Sequence, residues 1–331
     1  MLTICSERKG TEASLLCVWL RACRLFLLRP ECLEHAMQCF ARLVRVVLGA
    51  DAIENKKLDY GMSLVVLGAE ISFKPDCFSC RPAPSTVKKC LKVIGASLTS
   101  GLMLAGDAQK LAGRLNWSTQ YLFKRLGRAM LRPIYQQKFT RNGVMRPILV
   151  AALRWWEHVL NLEIAEQRSW NQRSMSPAHL YVDARSTPPR CAAVLFIDGE
   201  VLFTDGKPGA AHMCHIGERG DGQIMSLELM AIAVGLATFA VELEGRQVWI
   251  FEDNTGAEAT TQKGSSRAED HNALVHEIWT LALMHGMGLW IDRVPSDDNL
   301  SDLPSREEYE LLYSMGAVWR EPVIPDLSGG M

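Results

Sequence analysis

Four carboxylates in the second half of this 331-residue chain, Asp183, Glu228, Asp253 and Asp302, stand where a fold can gather them. Asp183 closes a short β-like run, residues 180–182. Asp253 closes another, 247–251, in which Val248, Trp249, Ile250 and Phe251 favour a strand. Glu228 lies in the helical run 226–243, where its helical neighbours Ile224, Ala231, Ile232 and Gly235 are apolar or glycine, so it faces the packed side. Asp302 stands between the last strand-like run and the last helix. Each acid alone has a plainer reading: Asp253 or Asp302 as a helix cap, Glu228 as a first-turn acid on the helix dipole, Asp183 as a strand terminator. Together, at strand ends and one inward helix position, they fit a different chemistry. A buried carboxylate is costly unless something pairs it, and a metal does so. Hard divalent cations take oxygen ligands, and two of them clamp the attacking and leaving oxygens of an in-line phosphodiester displacement.

The elements that must place these acids follow a readable order. Residues 180–182, 191–197 and 201–204 form three strands, the last two joined by the hairpin signal Asp198-Gly199. The helix 226–243, the strand 247–251, helices to about residue 285, the strand 288–294 and a helix over 301–313 complete a β-β-β-α-β-α-β-α order. That order predicts an α+β or α/β domain, a mixed five-stranded sheet with helices on its faces. Upstream the chain reads as mainly helical. Helices are expected over 31–48, 86–98, 107–131 (stopped by Pro133) and 145–166, with an extended stretch over 59–73 and a loop through Pro75, Pro82 and Pro84. The polar, aperiodic residues 167–177 read as the linker.

Net charge is -1, but it is split. Residues 81–160 carry 14 Lys and Arg against two acids, Asp107 and Glu157, whereas residues 181–331 carry 10 Lys and Arg against 24 acids. A basic module tied to an acidic one gives the first the makings of a polyanion binder. Ten cysteines without a scaffold pattern point to reduced thiols in an intracellular protein, cytoplasmic or nuclear and not secreted. The single motif Cys77-Phe-Ser-Cys80 lacks the second ligand pair that zinc needs. The most apolar early stretch, 13–28, is broken by Arg21 and Arg24, which excludes a membrane span.

The segments Tyr181-Val-Asp183, Ser226-Leu-Glu228-Leu, Phe251-Glu-Asp253-Asn254 and Val294-Pro-Ser-Asp-Asp-Asn299-Leu-Ser-Asp302-Leu-Pro-Ser-Arg306 resemble the ribonuclease H domain of retroelement reverse transcriptases. The resemblance covers about residues 178–315. It implies a ribonuclease H-like fold, with Asp183, Glu228, Asp253 and Asp302 as catalytic and metal-binding acids for two Mg2+ ions, Mn2+ substituting. Upstream, Leu67-Gly-Ala-Glu-Ile71 and Leu111-Ala-Gly-Arg-Leu-Asn-Trp117 are similar to the end of a reverse transcriptase of the DIRS and gypsy-like retrotransposons. The implied organisation is a partial palm end over 1–83, its first 30 residues unassigned, a helical thumb-like module over 84–166, a linker at 167–177, the ribonuclease H-like domain over 178–320 and a tail at 321–331.

Hydrolysis of the RNA strand of an RNA–DNA hybrid is the reaction this implies. The nucleic-acid contacts expected are Lys88, Lys89, Lys92, Arg114, Lys124, Arg125, Arg128, Asn254 and Asn299, with Ser296 beside the last. The partners are a hybrid or duplex nucleic acid and a separate chain carrying the polymerase palm, with no membrane. No polymerase activity is expected, because the only adjacent aspartate pair, Asp297-Asp298, lies inside the nuclease block and the Tyr-x-Asp-Asp turn of polymerases is absent. Two other readings stay open: a catalytically inactive, nucleic-acid-binding remnant, and an integrase- or transposase-type nuclease of the same fold.

Overall fold

A computed structural model describes residues 33–49, 61–66, 68–74, 76–121, 125–169 and 176–326. Leu67 of the upstream motif and Lys124 lie outside the described residues. The chain divides into two compact units, 1–89 with 162–173 and 90–161 with 174–331.

The first unit holds α1 (Leu33–Leu48) and an antiparallel sheet of β1 (Ser63–Val66), β2 (Ala69–Phe73), β3 (Cys77–Pro82) and, from far along the chain, β4 (Glu166–Ser169), in that order. Two expectations change here. The proline-rich stretch read as a loop is β3, an inner strand. Pro82 falls at its last residue, and Pro84 opens the next helix, where a missing N–H costs nothing. Residues 167–169, read as the start of the linker, pair with β3, Ser79 opposite Gln167, and Glu166, read as the end of a helix, pairs with Cys80.

The unit boundary falls inside α2 (Pro84–Ser100). The second unit continues with α3 (Ala105–Tyr121), α4 (Arg128–Gln137) and α5 (Pro147–Asn161). The expected helix over 107–131 is therefore two helices. Gly127 starts α4 at φ 80°, and a Cβ there would stand 2.6 Å from the Trp156 ring, so only glycine fits. Pro133 does not stop α4 but lies within it. The carbonyl that its missing N–H would have served, Ala129 O, accepts instead from Asn272 Nδ2 at 2.9 Å.

The remainder of the unit is built on a six-stranded mixed sheet. Its strands are β5 (Ala178–Ser186), β6 (Pro189–Ile197), β7 (Glu200–Gly206), β8 (Gln247–Glu252), β9 (Gly288–Arg293) and β10 (Val318–Trp319), in the order β10-β7-β6-β5-β8-β9. The sixth strand, a two-residue addition parallel to β7, is absent from the sequence expectation. β5, β6 and β7 are antiparallel, and β8 runs parallel to both β5 and β9. The hairpin between β6 and β7 turns on Asp198 and Gly199, at φ 50° and 87°.

α6 (Ala210–Met213) precedes α7 (Ile224–Thr238), every residue of which from Ser226 to Leu236 is buried; its apolar surface is continuous around the axis, as a core helix requires. α8 (Thr255–Lys263) and α9 (Glu269–Met284) follow β8. After a 3-10 turn, Ser296–Asp298, the expected final helix over 301–313 is instead two short helices, α10 (Asp302–Ser305) and α11 (Glu310–Ser314). The helices of 90–161 and this sheet region, read as separate modules, share one unit: α4 and α5 pack on α9, with the Trp155 ring edge-on to His276 at 5.0 Å. No helix among the described residues is long and apolar enough to cross a membrane.

Candidate metal centre

Parallel pairing of β5 with β8 brings the first two acids together. Tyr181 stands opposite Phe251, so Asp183 and Asp253, each two residues further on, emerge side by side. Glu228 arrives from α7. The approach of that helix to the sheet is set by Gly235, where a Cβ would meet Ala193 Cβ at 3.0 Å and Leu180 Cδ2 at 3.3 Å. One carboxylate oxygen each from Asp183, Glu228 and Asp253 lie within 4.8 Å of one another, and this triad can hold a metal ion.

The electrostatics of the cluster favour a cation. Asp183 is 6% exposed, and its carboxyl is pushed up to about 6, first by burial and then by the charges of Asp253 and Asp302, against a hydrogen bond from Ser305. Glu228 is 3% exposed and is raised by burial and by the charges of Glu252, Asp183 and Asp253, against a bond from the Ala184 N–H. Its Oε2 is buried without a hydrogen-bond partner. Packed like charges and an orphaned buried carboxylate oxygen are what a bound cation would relieve.

Asp302 stands at the rim of the triad. It is half-buried, acts on Asp183 through its charge, and is paired with Arg306 one helical turn on, Nη2 to Oδ1 at 2.8 Å. Arg306 also lowers Asp183. The loop carrying Asp302 is fastened by Asn299. That side chain is buried, donates from Nδ2 to Val182 O at 2.9 Å, and accepts from the Ser301 hydroxyl at 2.7 Å.

Several expected nucleic-acid contacts prove to have structural duties. Asn299 is committed to that clamp and cannot reach a substrate as placed. Asn254 caps α8, accepting from the N–H groups of Gly256 and Ala257. Arg128 Nη1 donates to Lys263 O at 2.9 Å, and Arg125 lies over the Trp279 ring, 5.7 Å from its centroid. Burial lowers both guanidinium pKa values. Tertiary packing claims Asn299, Arg125 and Arg128, which no local pattern announces, whereas the cap at Asn254 is a local role. Lys88, Lys89 and Lys92 are exposed on α2, Arg114 is partly exposed on α3, and Ser296 is exposed.

One acid escaped the sequence reading. Glu252 ends β8, is 0% exposed, and is raised well above the carboxylate range by burial, against a bond from the Asn254 N–H. Its Oε2 has no hydrogen-bond partner. The signal was available: Val248, Ile250 and Glu252 alternate on the inward face of the strand. Neither a family model nor a curated protein matches the chain.

Proposed function

We propose that the chain is a divalent-metal-dependent nuclease with a ribonuclease H-like sheet, hydrolysing the RNA strand of RNA–DNA hybrids. The observation that carries this reading is the convergence of Asp183, Glu228 and Asp253 within 4.8 Å, from two neighbouring parallel strands and one buried helix. The β-β-β-α-β-α-β order around the triad and the Asn299–Arg306 block beside it agree with the resemblance of residues 178–315.

In this reading Asp183, Glu228 and Asp253 would hold one Mg2+, and Asp302, beside Asp183 at the rim, would help to hold a second. Bound there, the two cations would activate water and stabilise the leaving 3′ oxygen. The Ser305 hydroxyl donates to Asp302 O at 2.9 Å and closes the turn that carries that acid. Arg306 neutralises Asp302 and is exposed, so it can turn to a phosphate when a cation takes that carboxylate. The exposed Lys88, Lys89 and Lys92 and the partly exposed Arg114 hold the duplex through its phosphates.

The test is cleavage of a hybrid by the purified full chain. RNA-strand cleavage with Mg2+ or Mn2+, and none with EDTA or Ca2+, is expected. Cleavage of the DNA strand would favour the integrase-like reading, and duplex binding without cleavage would favour an inactive remnant.

A further inference from the structure

Arg190 on β6 and Asp205 on β7 form an ion pair away from the acidic triad, with side chains 9% and 5% exposed. Charges so buried lose their hydration and persist only when hydrogen bonds replace it. Here they do. Asp205 accepts from Arg190, from the Tyr309 hydroxyl at 3.1 Å and from Trp319 Nε1 at 3.2 Å. Arg190 also pairs through Nη2 with Glu307, whose other oxygen accepts from Arg185 Nη2 at 3.1 Å. Glu307 is held at φ 66°, a left-handed conformation that residues with a side chain disfavour.

Three of these partners, Glu307, Tyr309 and Trp319, come from the segment that follows Asp302. Between Asn299 and Tyr309 the chain presents, in order, the clamp on Val182, Asp302, Ser305 with its hydroxyl on the Asp302 carbonyl, the Arg306 partner of Asp302, and the two anchors Glu307 and Tyr309. Asp302 therefore sits between two fastenings, one on β5 and one on the β6–β7 pair. A four-residue helix alone is too short to fix a rim carboxylate.

We propose that Arg190 and Asp205, acting through Glu307 and Tyr309, are positioning residues that set the place of the Asp302 carboxylate and so the affinity for the cation it shares with Asp183. This rests on reading the acidic cluster as a two-cation centre. Arg190 and Asp205 touch neither cation nor substrate. They act as partners behind ligands do, by restricting where a ligand can stand.

The experiment measures Mn2+ binding to the full chain by electron paramagnetic resonance, alongside thermal unfolding. The variants are Glu307→Gln, whose side chain is 45% exposed and tolerates change, and Arg190→Lys, which keeps the charge but loses the forked geometry. Two classes of Mn2+ site are expected in the parent. Both variants should weaken the weaker class by about 10- to 100-fold, the range found for residues behind metal ligands, and leave the tighter class unchanged. In cleavage, the Mg2+ concentration at half-maximal rate should rise while the rate at saturating Mg2+ recovers. A variant that melts earlier yet binds Mn2+ like the parent would reduce the network to fold stability and overturn the proposal. If Arg190→Lys fails to fold, Glu307→Gln decides alone. A parent that binds no Mn2+ would overturn the cation centre and this proposal together. A parent that binds Mn2+ but cleaves nothing would overturn only the nuclease reading, and the Mn2+ measurement would still decide the positioning role.

Discussion

Asn299 Nδ2 donates to the carbonyl of Val182 over 2.9 Å, tying the loop of Asp302 to the strand of Asp183 one residue before that acid. The bond spans 117 positions of sequence and is buried, so one amide fastens the Asp302 loop to β5 on the side of Asp183.

Asn299→Ala should therefore cost both stability and activity. It strands the Val182 carbonyl and removes the acceptor of the Ser301 hydroxyl. Leaving such buried groups unpaired costs about 1–3 kcal/mol. Denaturant unfolding should report that loss, and hybrid cleavage should fall more at limiting than at saturating Mg2+. A variant of parental stability would contradict the clamp.

Glu228→Gln should make the metal-free chain more stable and less sensitive to metal. Burial and three neighbouring acids raise Glu228 far above its ordinary value, so it costs free energy to accommodate at neutral pH, and a neutral amide of the same shape avoids that. The parent should melt higher with Mn2+, as a ligand that binds only the folded state requires. The variant should melt higher than the metal-free parent, with a smaller Mn2+ shift than the parent shows.

Acid should loosen the packing of the helices on the sheet region through His276. Burial lowers this imidazole to about 4, against the Trp155 ring. The unfolded chain takes up its proton near pH 6.5 and the folded chain only near 4. Stability from this group is thus fully present above pH 6.5 and is lost as pH falls toward 4. The slope is up to about 1.4 kcal/mol per pH unit. His276→Phe should flatten the melting temperature between pH 6.5 and 5, and an unchanged slope would assign the effect elsewhere.

Duplex binding should depend steeply on salt through the exposed lysines of α2. Replacing Lys88, Lys89 and Lys92 with Gln should reduce the slope of log K against log salt by about 0.9 for each B-DNA phosphate that is no longer neutralised. Arg125→Gln and Arg128→Gln should instead lower the melting temperature, since both guanidiniums pack on the α8–α9 region. A salt slope unmoved by the lysine changes would place the interface elsewhere.

What the sequence made legible is what short-range patterns encode. Alternation exposes the strands, Asp198-Gly199 the hairpin, and the apolar surround of Glu228 its inward direction. What stayed hidden depends on partners far along the chain. Pro133 reads as a stop because nothing nearby reveals that Asn272 takes up the Ala129 carbonyl. Three prolines disguise β3, whose pairing with β4 joins residues 77–80 to 166–169. Asn299 reads as a substrate contact because an amide beside an acidic loop looks the same whether it faces solvent or Val182. Glu252 was within reach, one alternation beyond Ile250.

The most direct measurement is RNA-strand cleavage of a hybrid by the full chain and by Asp253→Asn at equal concentration in Mg2+, with circular dichroism on both. The substitution keeps the shape of Asp253 while removing a ligand charge from the triad. The account predicts that the parent cleaves and that the variant, equally folded, loses at least about 100-fold in rate, roughly the 2.7 kcal/mol that such a factor represents. Equal cleavage by parent and variant would contradict it.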